Sequence, residues 1–181
     1  HVIDRTRVLS IATNLGDTRH FSRGYRRRLP AEVLDDAVSD ITGSPDTFVA
    51  TPPGSRATQT WSYKIDSHFL DAFGRPNASS DCPCERDLRL SVVQSLHLMN
   101  SPKLQKRISS AEGRARKLAD SNLTPEAIVT ELYLAAYGRP PISDEVQAAT
   151  APFRAPETKR ATAVEDVLWS LLNSPEFLFN R

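Results

Sequence analysis

Sulfur is scarce in this chain: 181 residues include two cysteines and one methionine. Two thiols cannot build the multi-bridge framework that holds small secreted domains together, and a chain of this length can bury a core without one. The redox compartment therefore stays open. An excess of one charge is missing as well. Lys plus Arg number 23 against 22 Asp plus Glu, a formal net charge of +1. Such a chain exerts no long-range pull on nucleic acid or anionic lipid, so a nucleic-acid partner is not expected without a local basic patch. No run approaches the roughly 18 apolar residues needed to cross a bilayer, and no membrane span is expected. The start at His1 shows neither a charged n-region nor an apolar h-region, and it lacks an initiating methionine. That suggests a processed or excised piece whose missing signal says nothing about localisation.

What is present is an ordinary globular balance, 39% hydrophobic and 25% charged, and the length favours one domain over residues 1–181. Val2, Ile3, Val8, Leu9 and Ile11 suit a short amphipathic helix. From Thr13 to Leu29 the chain turns polar and basic, with Arg19, Arg23, Arg26, Arg27 and Arg28 set among His20, Phe21 and Tyr25. Guanidinium groups beside rings could serve a nucleic-acid surface; the alternative is a solvated connector with its aromatics anchored in the core. A clear helix follows from Pro30, with Val33, Leu34, Ala37, Val38 and Ile41 as one stripe and Gly43 as its stop. Asp35, Asp36, Ser39 and Asp40 fall on the other face, read as solvated, with cation binding as the sharper alternative.

Four Pro/Gly breakers (Pro45, Pro52, Pro53 and Gly54) predict an irregular stretch over 44–60. Trp61, Tyr63 and Ile65 alternate as a short strand would, and Asp66 or Ser67 is placed to cap a short helix running to Gly74. Further along, one or two short helices are expected between Pro102 and Leu118, interrupted at Gly113, with Lys103, Lys106, Arg107, Arg114, Arg116 and Lys117 outward. Thr124-Pro125-Glu126 is a helix start with a hydroxyl cap, and Gly138 before Arg139-Pro140-Pro141 is a stop. Ser143 should cap the next helix, with a break over Pro152 to Pro156. A last long helix from about Glu157 to Asn173 precedes a final turn carrying Phe177, Leu178 and Phe179. The fold class is thus all-α, an irregular bundle of about seven or eight helices with long Pro/Gly-rich loops.

The most chemically loaded loop is Asp81-Cys82-Pro83-Cys84-Glu85-Arg86-Asp87, which feeds the apolar run Leu88 to Asn100. Paired cysteine ligands are usually two to four residues apart and joined by a second pair, so one Cys-Pro-Cys with dispersed histidines makes a metal site improbable. A disulfide across so short a loop would be strained and reducible. Arg86 near the thiols would favour thiolate. Cys82, Cys84, Glu85 and Arg86 are therefore the candidate redox residues, set against the plainer reading of two thiols bracing a loop. There is no C-x-x-C-H motif to attach haem, and His97 and Met99 point apart on a helix, so no cofactor is expected in this chain.

Several blocks together carry a resemblance: Phe21-Ser22-Arg23, Arg27-Arg28-Leu29-Pro30-Ala31-Glu32-Val33-Leu34, Phe69-Leu70-Asp71-Ala72-Phe73-Gly74-Arg75-Pro76, Cys82-x-Cys84-Glu85-Arg86, Leu96-His97-Leu98-Met99-Asn100, and Asn173-Ser174-Pro175-Glu176-Phe177. In that order they resemble the planctomycete-specific C-terminal domain known as domain-of-unknown-function family 1553. The resemblance implies a C-terminal fragment of a large exported, extracytoplasmic protein, often with a cytochrome c-like domain upstream. Haem would then lie outside these residues, and the partners would be upstream domains of the same chain. The family has no established catalytic residues to carry over. The reading is an accessory or interaction module, with a thiol-redox or hydrolytic element at Cys82 to Arg86 as the alternative.

Overall fold

The computed structural model describes residues 27–49, 51–60, 65–75 and 100–180. Among them are eight α-helices: α1 (Ala31–Thr42), α2 (His68–Ala72), α3 (Pro102–Ile108), α4 (Arg114–Ala119), α5 (Pro125–Tyr137), α6 (Ser143–Arg154), α7 (Arg160–Leu172) and α8 (Pro175–Leu178). A 3-10 turn, Ala57–Gln59, follows α1. The mostly helical architecture agrees with the periodicity of the sequence. A two-residue ladder was not foreseen: β1 (Arg27–Arg28) pairs antiparallel with β2 (Phe179–Asn180), and Leu29 N–H donates to Leu178 C=O at 3.0 Å. Two residues are too few to show an alternating pattern. The strand expected from Trp61 lies largely outside the described residues.

Two helices organise the packing. Helix α1 touches α2, α3, α4, α5 and the 3-10 turn, while α7 touches α3, α4, α5, α6 and α8. Between them sit Leu34, Val38 and Ile41 of α1, Ile128, Val129 and Leu132 of α5, and Val164, Leu168 and Leu172 of α7, all nearly inaccessible to water. Each set has the three-and-four spacing that puts apolar side chains on one face of a helix. Phe69 stacks on Phe73 with centroids 4.6 Å apart and closes the α2 side. Phe177 of α8 is buried in the same cluster. The helix α7 inward stripe is as the spacing requires, and α3 and α4 are two short helices parted at Gly113.

Helix ends follow local chemistry. Ser67, Ser101, Thr124 and Ser174 each accept a hydrogen bond from an N–H in the following first turn, and α1 and α5 end at left-handed Gly43 and Gly138. Two boundaries differ from expectation. Ser143 is the first residue of α6 rather than its cap, and the Ile142 N–H is held instead by the Glu145 carboxylate at 2.9 Å. Proline does not stop this helix either, because α6 runs through Pro152 to Arg154. A proline in the last turn of a helix removes one hydrogen bond, and packing of that turn can offset the loss.

Gly113 is fixed by close approach rather than by backbone angle. A Cβ there would sit 3.1 Å from the carbonyl oxygens of both Thr42 and Ser110, so the C-terminus of α1 and the N-terminus of α4 meet without room for a side chain. We expect Gly113→Ala to destabilise the protein by about 1–3 kcal/mol through overpacking, a fall in Tm of roughly 2–10 °C for a domain of this size. Calorimetry showing an unchanged Tm would remove the close approach as a constraint.

Candidate functional site

The polar face of α1 is where charge was expected to meet solvent, and here the structure corrects the sequence. Asp35 is 0% exposed and Asp36 is buried. Asp35 Oδ1 accepts from Arg107 Nη1 at 2.8 Å, and the same guanidinium donates through Nη2 to Ser39 Oγ at 2.6 Å and through Nε to the Ser44 carbonyl at 3.1 Å. Arg107, expected on an exposed side of α3, is 6% exposed. Asp36 caps the 3-10 turn, accepting from Ala57 N–H at 2.7 Å and from the Thr58 N–H and hydroxyl.

A cavity of about 140 Å³ lies beside this row, lined by Asp36, Asp40, Asp46 and Arg56 among others. Its carboxylates are matched. Asp40 pairs with Arg56 at 2.6 Å, and Asp46 pairs with Lys103 at 2.6 Å. Among the described residues no group of three or more His, Cys, Asp or Glu is placed to hold a metal ion. The acidic row of α1 thus ties α1 to α3 and to the loop that follows it.

A second constellation surrounds Arg139 at the Gly138-Arg139-Pro140 corner. Its guanidinium forks onto two carboxylates: Glu145 at the start of α6, at 2.7 and 2.8 Å, and Glu176 of α8, at 2.8 and 2.9 Å. It also lies 5.6 Å from the ring centroid of Tyr133 and 5.5 Å from that of Tyr137, and the two rings meet edge to face. The hydrogen bond to Glu145 pushes the Arg139 pKa up, so its charge is permanent. Burial first, and then the Glu145 charge, raises the Tyr133 phenol above its ordinary value and keeps it protonated. Next to this node is a half-open cavity of about 210 Å³ lined by Tyr133, Glu145, Ala148, Ala149, Pro152, Val167, Ser170 and Leu171.

Of the residues singled out from the sequence, Cys82, Cys84, Glu85 and Arg86 lie outside the described residues, as do Arg19, Arg23 and Arg26. Arg28 lies inside the fold, donating to the Phe73 carbonyl at 2.8 Å over the Phe73 ring. Arg27 stays exposed in β1. The Arg107–Asp35 pair was not legible locally, because its members are 72 residues apart. Glu145 and Glu176 had a signal in hindsight, each sitting at a helix start that a capping carboxylate favours.

The body so defined is a helical module whose arginines bind its own helices together. The model of the family described as PSD1, a protein of unknown function (DUF1553), matches residues 10–153, and the chain belongs to that family. No curated protein and no solved structure matches it.

Two outcomes are expected for the buried pair. Arg107→Met leaves Asp35 charged, buried and unpaired, which should cost about 3–5 kcal/mol, while adding Asp35→Leu to it should restore most of the loss. Equal melts for the single and double variants, measured in urea, would refute the pairing. The second concerns pH. Burial outweighs the attraction of Arg107 and raises the Asp35 pKa above 3.8. The native state therefore holds the proton longer than the unfolded chain, and stability tied to this group is full below 3.8 and lost as pH rises through the folded value. Relative to Asp35→Asn, wild-type stability should decline with rising pH across that window; parallel curves would deny the shift.

Proposed function

We propose that this chain is an accessory helical module of an exported multidomain protein, a rigid body that docks onto other domains of the same polypeptide. In this reading any haem chemistry belongs to a c-type domain outside residues 1–181. One observation supports it above others: the buried and half-buried arginines are engaged within the fold. Arg28, Arg75, Arg107, Arg114 and Arg160 donate to backbone carbonyls of other segments, and Arg139 to two carboxylates. Charge used in this way stiffens a body, whereas a catalytic site holds acids and bases poised toward a substrate.

The test is reconstitution in two pieces. The 181-residue chain, mixed with the preceding region of its own reading frame expressed separately, should co-elute as a defined complex on size exclusion at tens of micromolar. It should carry no activity by itself toward thiol-disulfide or ester substrates. Failure to co-elute would overturn the docking role. Turnover by the chain alone, lost in Cys82→Ser or Cys84→Ser, would replace it with the thiol-centred alternative, and thiol titration with and without reductant would then report the state of the Cys82/Cys84 pair.

A further inference from the structure

The cavity between α5, α6 and α7 has features that close packing alone does not require. Its floor is hydrocarbon, from Ala149, Pro152, Val167 and Leu171. Apart from the Tyr133 hydroxyl, which can donate or accept, its polar edge is built of acceptors. Pro152 has no N–H to offer the carbonyl of Ala148 one turn earlier, so that carbonyl lacks its usual helical donor. The Ser170 hydroxyl gives its proton to the Asp166 carbonyl at 2.8 Å, leaving only lone pairs for the cavity. Glu145 adds a carboxylate whose oxygens already accept from Arg139 and the Ile142 N–H, so it contributes remaining lone pairs and charge, and with Glu176 it balances the Arg139 charge twice over. Tyr133 is 8% exposed, lines the cavity, and has no hydrogen-bond partner for its hydroxyl among the described residues. Such an edge favours a hydrogen-bond donor and a positive charge.

Size narrows the choice. A dry cavity of about 150 Å³ accepts a benzene molecule, so about 210 Å³ holds one ring with a short arm. We propose that this cavity binds a small apolar cation: a ring-sized hydrocarbon body carrying a primary ammonium, with the body on Ala149, Val167 and Leu171 and the ammonium at the Ala148 carbonyl, Ser170 and Glu145. This site is independent of the docking role, which survives if the cavity proves empty of ligand.

Benzylammonium is the probe, with phenylacetate as the comparison of opposite charge, both followed by chemical-shift titration of the 181-residue protein. Benzylammonium should saturate and shift resonances of Ala148, Ala149 and Ser170, with phenylacetate about tenfold weaker or more. Ala148 is exposed on α6, so Ala148→Leu can block the mouth without disturbing the core and should weaken benzylammonium by a similar factor while leaving the thermal melt unchanged. Tyr133→Phe should weaken it less. Absence of saturable shifts, equal binding of phenylacetate, or undiminished binding in Ala148→Leu would each overturn the proposal.

Discussion

Short helices carry a penalty that long ones dilute: every C-terminus leaves about four carbonyls without an intrahelical donor. This chain resolves that constraint with side chains brought from distant segments. Arg114 donates to the Ile41 and Asp40 carbonyls at the end of α1, which has no basic residue in its own last turn. Arg28 reaches the Phe73 carbonyl after α2, Arg160 the carbonyls of Ala119 at the end of α4 and of Ser121 beyond it, and the Tyr137 hydroxyl approaches the Leu171 carbonyl near the end of α7. A cation at a helix C-terminus also meets the negative end of the dipole. Each clasp therefore satisfies acceptors and fixes the relative position of two elements at once.

The Arg107–Asp35 pair belongs to the same logic at greater depth. Desolvating two charges is expensive, and a buried ion pair is often no more stabilising than hydrocarbon of the same shape. Its second carboxylate oxygen, Asp35 Oδ2, is buried with no hydrogen-bond partner among the described residues, which adds to that cost and is consistent with the raised Asp35 pKa. What the pair supplies is directional. Only one placement of α3 against α1 lets Arg107 reach Asp35, Ser39 and the Ser44 carbonyl together. An apolar contact between the two helices would tolerate sliding by a turn.

How far the sequence could be read follows from the range of the interactions. Ser67, Thr124 with Pro125, Gly43 and Gly138 act on their own neighbours, so helix starts and stops were legible. The stripe of α1 obeys a period of 3.6 and gave Leu34, Val38 and Ile41 of the core, while Val33, counted in the same stripe, lies at its edge and is 40% exposed. Asp35, Asp36 and Arg107 were misplaced because a charged side chain at an outward helical phase reads as solvated until its partner is known, and that partner lies far along the chain. Pro152 misled in the other direction. It sits one residue from Phe153, which packs against the core cluster, and that tertiary contact carries the last turn of α6 past a residue that alone would end it. The Cys82 to Arg86 loop, the sharpest chemical signal in the sequence, falls outside the described residues.

The family match and the packed core do not share a boundary. The match closes at residue 153, within α6, yet the wall of the core facing α4, α5 and α6 is made by Ala163, Val164, Val167, Leu168, Leu171 and Leu172 of α7. Arg139, inside the match, is locked to Glu176 beyond it, and β1 has its partner in β2 at residues 179–180. A polypeptide cut at 153 would expose the apolar faces of α4 and α5 and leave the Arg139 guanidinium with Glu145 alone. Burying six side chains of that kind is worth about 1.5–3 kcal/mol for each larger one, comparable to the whole stability of a typical domain. The segment from 160 to 180 thus supplies a wall of the core that residues inside the match require.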